Sequence, residues 1–124
     1  MKLLLDTHVV LWWLAREPIT NAADQAIRNP AVPVLVSAAS AWELGIKSAL
    51  GKLRIPSDFR EQLRAQRFTP LSVTLDHGLG VATLPRLHGN PIDRLLIAQA
   101  RAEDLTLVTR DTRLAEYGVP ILAA

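Results

Sequence analysis

The chain of 124 residues contains no cysteine, which excludes disulfide frameworks and thiolate metal sites, disfavours zinc by its usual ligands and fits a reducing compartment. It also lacks any apolar run long enough to span a bilayer. Met1-Lys2 followed by Leu3 to Leu5 and Val9 to Leu14 superficially resembles a signal peptide, but Asp6 and His8 interrupt the apolar stretch. The expectation is a soluble, cytoplasmic protein with no membrane contact. No glycine-rich phosphate loop is present, and no serine sits in a glycine-flanked nucleophile elbow. Net charge is only +2, from 14 Lys and Arg against 12 Asp and Glu, too small by itself to indicate nucleic acid. No repeat, low-complexity tract or linker divides the chain, so one compact domain over 1–124 is expected.

What is present is an alternation of short apolar runs with helix-period segments. Leu3-Leu4-Leu5 reads as a strand buried on both faces, followed by a helix with Thr7 as a plausible cap that runs to Pro18. Further helices are expected over 21–29, from Ser37 to a stop at Gly51 through Trp42, Leu44, Ile46 and Leu50, and over 57–67, 76–84 and 111–116. Asn90-Pro91 is a strong start for a helix reaching Glu103. Strands are expected over 34–36, 69–73 and 105–109, with a closing edge strand over 119–122. This alternation predicts an α/β fold with right-handed crossovers and a mostly parallel sheet, whose ligand crevice lies beyond the carboxyl ends of the strands. Trp12 and Trp13 read as core or interface packing, and Arg60, Arg64 and Arg67 as a solvated basic face.

Asp6, Glu43, Asp93 and Asp111 each stand where a strand gives way to a helix or in the opening turns of that helix. Singly, each has a structural reading. Asp6 and Asp111 can cap helices, and Glu43 after Ser40, like Asp93 after Asn90, has capping-box spacing. Together they put unpaired charge at the end of a buried strand, which demands a counter-charge. Arg94 and Arg110 are one source. A hard divalent ion is the other, and an oxygen-only donor set points to magnesium or manganese. With those acids in one pocket, the other eight acids face 14 bases, an acidic cleft in a basic shell that suits a polyanion brought in by a metal. His8, His77 and His88 are isolated in type and are given no ligand role, although His8 lies near Asp6.

The segments LLLDTHVVLWWL, VSAASAWELGIKSALGKL, NPIDRLLIAQA and LVTRD, in this order and spacing, resemble the PIN-domain ribonucleases, specifically the VapC-like toxins of type II toxin–antitoxin pairs. The resemblance covers essentially the whole chain and implies a single PIN-like nuclease domain with a three-layer α/β/α fold. It implies an acidic site for one or two Mg2+ or Mn2+ ions, with Asp6, Glu43, Asp93 and Asp111 as catalytic and metal-binding residues and Thr7 and Thr109 in support. It further implies hydrolysis of phosphodiester bonds in single-stranded RNA, a homodimer and a cognate antitoxin partner. Such ions acidify water, neutralise phosphate oxygens and stabilise a leaving 3′ oxygen, giving 5′-phosphate and 3′-hydroxyl ends. One departure is Asn90, where many relatives carry Asp; a lost charge there weakens a second metal site. The alternatives are a non-catalytic PIN-fold binding module and a haloacid dehalogenase-like phosphatase with Asp6 as nucleophile. The latter wants a second acid two positions later, where His8 stands.

Overall fold

Leu3, Leu4 and Leu5 are all fully buried, as a central strand covered on both faces requires. They form β1 (Leu3–Leu5) in a computed structural model that describes residues 1–87 and 89–124. The reading of His88 lies outside the described residues. In chain order there follow α1 (Thr7–Leu14), α2 (Asn21–Arg28), β2 (Val34–Ser37), α3 (Ala38–Ala49) and α4 (Phe59–Ala65). The second half contributes β3 (Thr69–Leu71), α5 (Leu75–Gly80), α6 (Pro91–Glu103), β4 (Thr106–Thr109) and β5 (Ile121–Ala123). Short 3-10 turns occupy Val81–Thr83 and Thr112–Tyr117.

The sheet order is β3-β2-β1-β4-β5, and all four pairings are parallel, so the expectation of a mostly parallel sheet becomes a wholly parallel one. Register places Leu4 beside Leu35 and Leu107, and Leu5 beside Val36 and Val108. Alternation along the strands then feeds two cores. Leu4, Leu35 and Leu107 meet Leu96 and Ile97 of α6 and Leu114 and Tyr117. Leu3, Leu5, Val36 and Val108 meet Val9 and Val10 of α1, Ile27 of α2 and Phe59 and Leu63 of α4. Helices thus cover both faces, giving three layers. Each fully buried leucine of β1 contributes about 1.5–3 kcal/mol of transfer free energy.

Several boundaries differ from expectation for local reasons. The helix expected over 76–84 ends as α5 at Gly80 and tightens into the 3-10 turn Val81–Thr83, in keeping with the poor helix propensity of Gly78 and Gly80. The expected short helix at 111–116 is 3-10 and starts after Asp111, which caps it. Pro70 sits in β3 and Pro120 just before β5, the two edge strands, where a missing N–H does no harm. Trp12 and Trp13 are half-buried beside the second core, and Arg60, Arg64 and Arg67 are exposed, as their patterns implied.

Gly118 and Gly78 make a contrasting pair. A Cβ meets nothing within 4 Å at either position, but Gly118 has φ +81. Gly118→Ala is therefore expected to lower unfolding free energy by about 1–2 kcal/mol. Gly78→Ala, inside α5, is expected to raise it by roughly 0.5–1 kcal/mol. Urea titration of the two variants checks the opposite signs.

Candidate active site

The backbone N–H of Asp6 still donates to Val108 across the sheet, at 3.0 Å, so its side chain leaves from the carboxyl end of a central strand. That side chain is 13% exposed. Oδ1 accepts the His8 amide at 3.3 Å and so caps α1. Oδ2 accepts the Thr109 hydroxyl at 2.7 Å. Thr109, fully buried at the end of β4, in turn accepts the Asp111 amide at 3.1 Å. One hydroxyl therefore ties Asp6 to Asp111.

Asp111 receives the Arg113 guanidinium at 2.9 Å on Oδ1 and 2.8 Å on Oδ2, and its Oδ1 also caps the following turn through the Arg113 amide. The hydrogen bonds that Arg113 donates to Asp111 raise its pKa, and the charges on Asp111 and Asp93 add to the effect. Asp93 and Asp111 thus act on one cation. Asp93 is the third residue of α6, behind Asn90, whose Oδ1 accepts the amides of Ile92 and Asp93 at 2.9 and 3.2 Å. A carboxylate in that first turn is favoured by the helix dipole.

Glu43 is held differently. Ser37, not Ser40, caps α3, accepting the Ala39 amide at 3.0 Å, so the capping-box reading of Glu43 is corrected. Likewise Asp6, and not Thr7, caps α1. The Thr7 hydroxyl instead donates to Ser40 at 2.9 Å in the interior, which pins α3 to α1 three residues before Glu43. Glu43 is 15% exposed and has Lys47 at 3.6 Å. Behind α3 runs a second buried chain of hydrogen bonds. Ser37 donates to Gln99 at 2.6 Å, Gln99 donates to the Ser72 carbonyl at 3.3 Å, and Gln99 lies 3.3 Å from Nδ1 of His77. His77 Nδ1 also accepts the Thr74 amide, which leaves Nε2–H to face Glu103 at 2.9 Å.

Of the two expected counter-charges, Arg110 is engaged elsewhere. Arg110 lies 3.8 Å over the Trp12 ring and donates to the carbonyls of Pro18 and Ala124. Arg94 donates to the carbonyls of Pro85 and Val81 and to the Tyr117 hydroxyl. Lys47 pairs with Glu43 and Arg113 with Asp111, and the signals that could have found them are the i,i+4 spacing from Glu43 and the Asp111-x-Arg113 turn. His8 is near Asp6, with Nδ1 at 3.9 Å, and its side chain is 55% exposed.

These contacts bring the elements that carry the acids to one edge, since α3 packs on both α1 and α6. They do not form a closed cage: among the described residues, no three His, Asp or Glu groups stand as a ready metal site. A cavity of about 710 Å3 between α1, α2 and α4, lined by Trp13, Ile19, Arg28 and Gln62 with Glu17 and Asp24, includes none of Asp6, Glu43, Asp93 and Asp111. The donor chemistry of the edge, carboxylates with hydroxyl support and no thiolate, fits a hard divalent cation.

Comparison with known proteins agrees with this geometry. The PIN domain family model matches residues 3–120. Ribonuclease VapC22 of Mycobacterium tuberculosis is 35% identical over 125 residues, covering 94% of this chain and 92% of that protein. A chain in the crystal structure of VapBC2 from Rickettsia felis, bound to a promoter DNA fragment, superposes with TM-score 0.73 at 16% identity, covering 99% of this chain and 98% of that one. FitAcB from Neisseria gonorrhoeae gives TM-score 0.63 at 22% identity, covering 97% and 96%. The wholly parallel sheet is consistent with the matched family: this chain belongs to the PIN-domain family, among the relatives of the VapC ribonucleases.

Proposed function

We propose that residues 1–124 act as one nuclease domain, a divalent-metal-dependent endoribonuclease that cuts single-stranded RNA as the toxin of a toxin–antitoxin pair in the cytoplasm. The observation that carries this reading is Asp6: a carboxylate at the end of a fully buried strand, 13% exposed, fastened to Thr109 and through it to Asp111. The relationship to Ribonuclease VapC22 supports the substrate class. The likeness to chains of the VapBC2 and FitAcB structures supports a protein partner of the antitoxin kind.

Asp6 and Asp93 would hold Mg2+ or Mn2+, with Glu43 and Asp111 completing or orienting the set. When bound, the ion supplies charge neutralisation at the phosphate and acidifies water. Thr109 keeps the Asp6 carboxylate from turning. The Thr7–Ser40 bond keeps Glu43 beside the scissile bond, where its carboxylate takes a proton from the attacking water. Lys47 and Arg113 neutralise Glu43 and Asp111 in the absence of the ion, and both are long enough to swing to phosphate oxygens.

Incubating single-stranded RNA with the protein and Mg2+ or Mn2+ is expected to give fragments with 5′-phosphate and 3′-hydroxyl ends, and chelation is expected to stop cleavage. A second reading, a PIN-fold binding module without catalysis, is favoured by the engagement of Glu43 and Asp111 by cations. RNA retention without new ends, unchanged by either metal, would select it.

A further inference from the structure

Arg110 follows β4 at the carboxyl edge of the sheet, one strand away from Asp6 at the end of β1, and the acids do not use its charge. Its guanidinium lies 3.8 Å over the half-buried Trp12 ring and donates to the carbonyls of Ala124 and Pro18, which fix it there. Both carbonyls are neutral, so the positive charge stays whole. One face of the guanidinium rests on indole, and the residue is nevertheless exposed. Trp12 connects this group to the acids. The His8 ring stands 5.9 Å from the Trp12 ring, tilted by 33°, and its Nδ1 is 3.9 Å from Oδ1 of Asp6. His8, Trp12 and Arg110 thus form a ladder of planar groups that starts at Asp6.

Beside the ladder opens a cavity of about 370 Å3 lined by Trp12, Glu17, Pro18 and Arg110, within the range of about 300–1,000 Å3 usual for small-ligand sites. Its chemistry is that of a base site. A guanidinium plane backed by indole is a stacking platform for a nucleobase, and Pro18 adds an apolar wall. Glu17 is the discriminating group. Its exposed carboxylate only accepts hydrogen bonds, and beside a polyanion it is repulsive unless a donor meets it. Cytosine, adenine and guanine each bring an amino group, whereas uracil presents a carbonyl oxygen where cytosine has its amino group. Because every strand is parallel, the ends of β1, β4 and β5 that carry Asp6, Arg110 and Ala124 share one edge. A strand of RNA with its phosphate at Asp6 passes His8 and brings a neighbouring base to Arg110.

We propose that this cavity is a subsite for one base beside the scissile phosphate, stacked on the Arg110 guanidinium and donating its exocyclic amino group to Glu17, so that cytosine is preferred over uracil. The subsite rests on the reading of the cleft as a site for single-stranded RNA, and measuring binding apart from cleavage keeps the two distinguishable. Fluorescence anisotropy with labelled hexauridylate, and with the same strand carrying one cytosine at each position in turn, reads the preference. Ca2+ replaces Mg2+ in the assay, and a gel verifies that the RNA is intact. At least one cytosine strand is expected to bind about tenfold more tightly than hexauridylate, as a hydrogen bond to a charged group allows. Glu17→Gln is expected to shrink that ratio to less than about twofold, because a carboxamide offers either base a partner. Arg110→Lys keeps the charge but not the plane and is expected to weaken every strand by about fivefold or more, as the loss of one stacked base does. Equal affinity of the wild type for all the strands overturns the proposal. Discrimination that survives Glu17→Gln, or affinity unchanged in Arg110→Lys, overturns it as well. If the preference appears as expected and RNA stays uncut with Mg2+ or Mn2+, the subsite stands and the nuclease reading falls.

Discussion

Asp6→Asn is expected to lower RNA cleavage by more than about 100-fold, since even outer-shell partners of a bound metal are worth 10–100-fold, while changing the unfolding free energy by no more than about 1 kcal/mol, the worth of one hydrogen bond. The two effects separate because of what Asp6 does structurally. Its cap on α1 uses Oδ1 and its bond from Thr109 uses Oδ2; Asn keeps the cap with its one acceptor oxygen, but its amide then faces the Thr109 hydroxyl, which must turn to accept. Removing a carboxylate that is only 13% exposed also relieves a desolvation cost. Cleavage rates and urea unfolding on the same preparation check the split. A variant that cuts normally would show that the charge at this strand end is structural.

Gln99→Leu is expected to cost about 3 kcal/mol of unfolding free energy, since each buried polar group left without a partner costs roughly 1–3 kcal/mol. Gln99 is fully buried and serves Ser37, Ser72 and His77 at once. A leucine fills much of the volume but strands the Ser37 hydroxyl and the Ser72 carbonyl. Because Ser37 also caps α3, the loss reaches the helix that carries Glu43. Urea unfolding measures the first effect. In RNA cleavage, kcat is expected to fall while KM holds, as for a group that positions a catalytic residue without binding substrate.

The strands and the carboxyl-edge location of Asp6 and Asp111 were legible because an apolar triplet such as Leu3-Leu4-Leu5 can only be a buried strand here, and its last residue dictates where the next side chain emerges. The bonds that link Thr109 to both acids follow from β4 lying beside β1. The helix caps were less so. Ser37 and Ser40 both suit the start of α3, and the buried Thr7–Ser40 contact that decides between them spans 33 positions. Lys47 and Arg113 escaped notice since adjacent arginines drew the attention that belonged to residues a turn away. The chain from Ser37 to Glu103 was invisible in sequence, as buried polar contacts between distant elements leave no local period.

The account rests on the carboxylates of Asp6 and Asp93 sharing a divalent ion. Crystals of the protein soaked in MnCl2 and measured at the manganese absorption edge test this most directly. An anomalous peak bound by Asp6 and Asp93, with Lys47 or Arg113 withdrawn from its carboxylate, is the predicted result. A soaked crystal with no peak at that edge, and both cations still seated on Glu43 and Asp111, would contradict it.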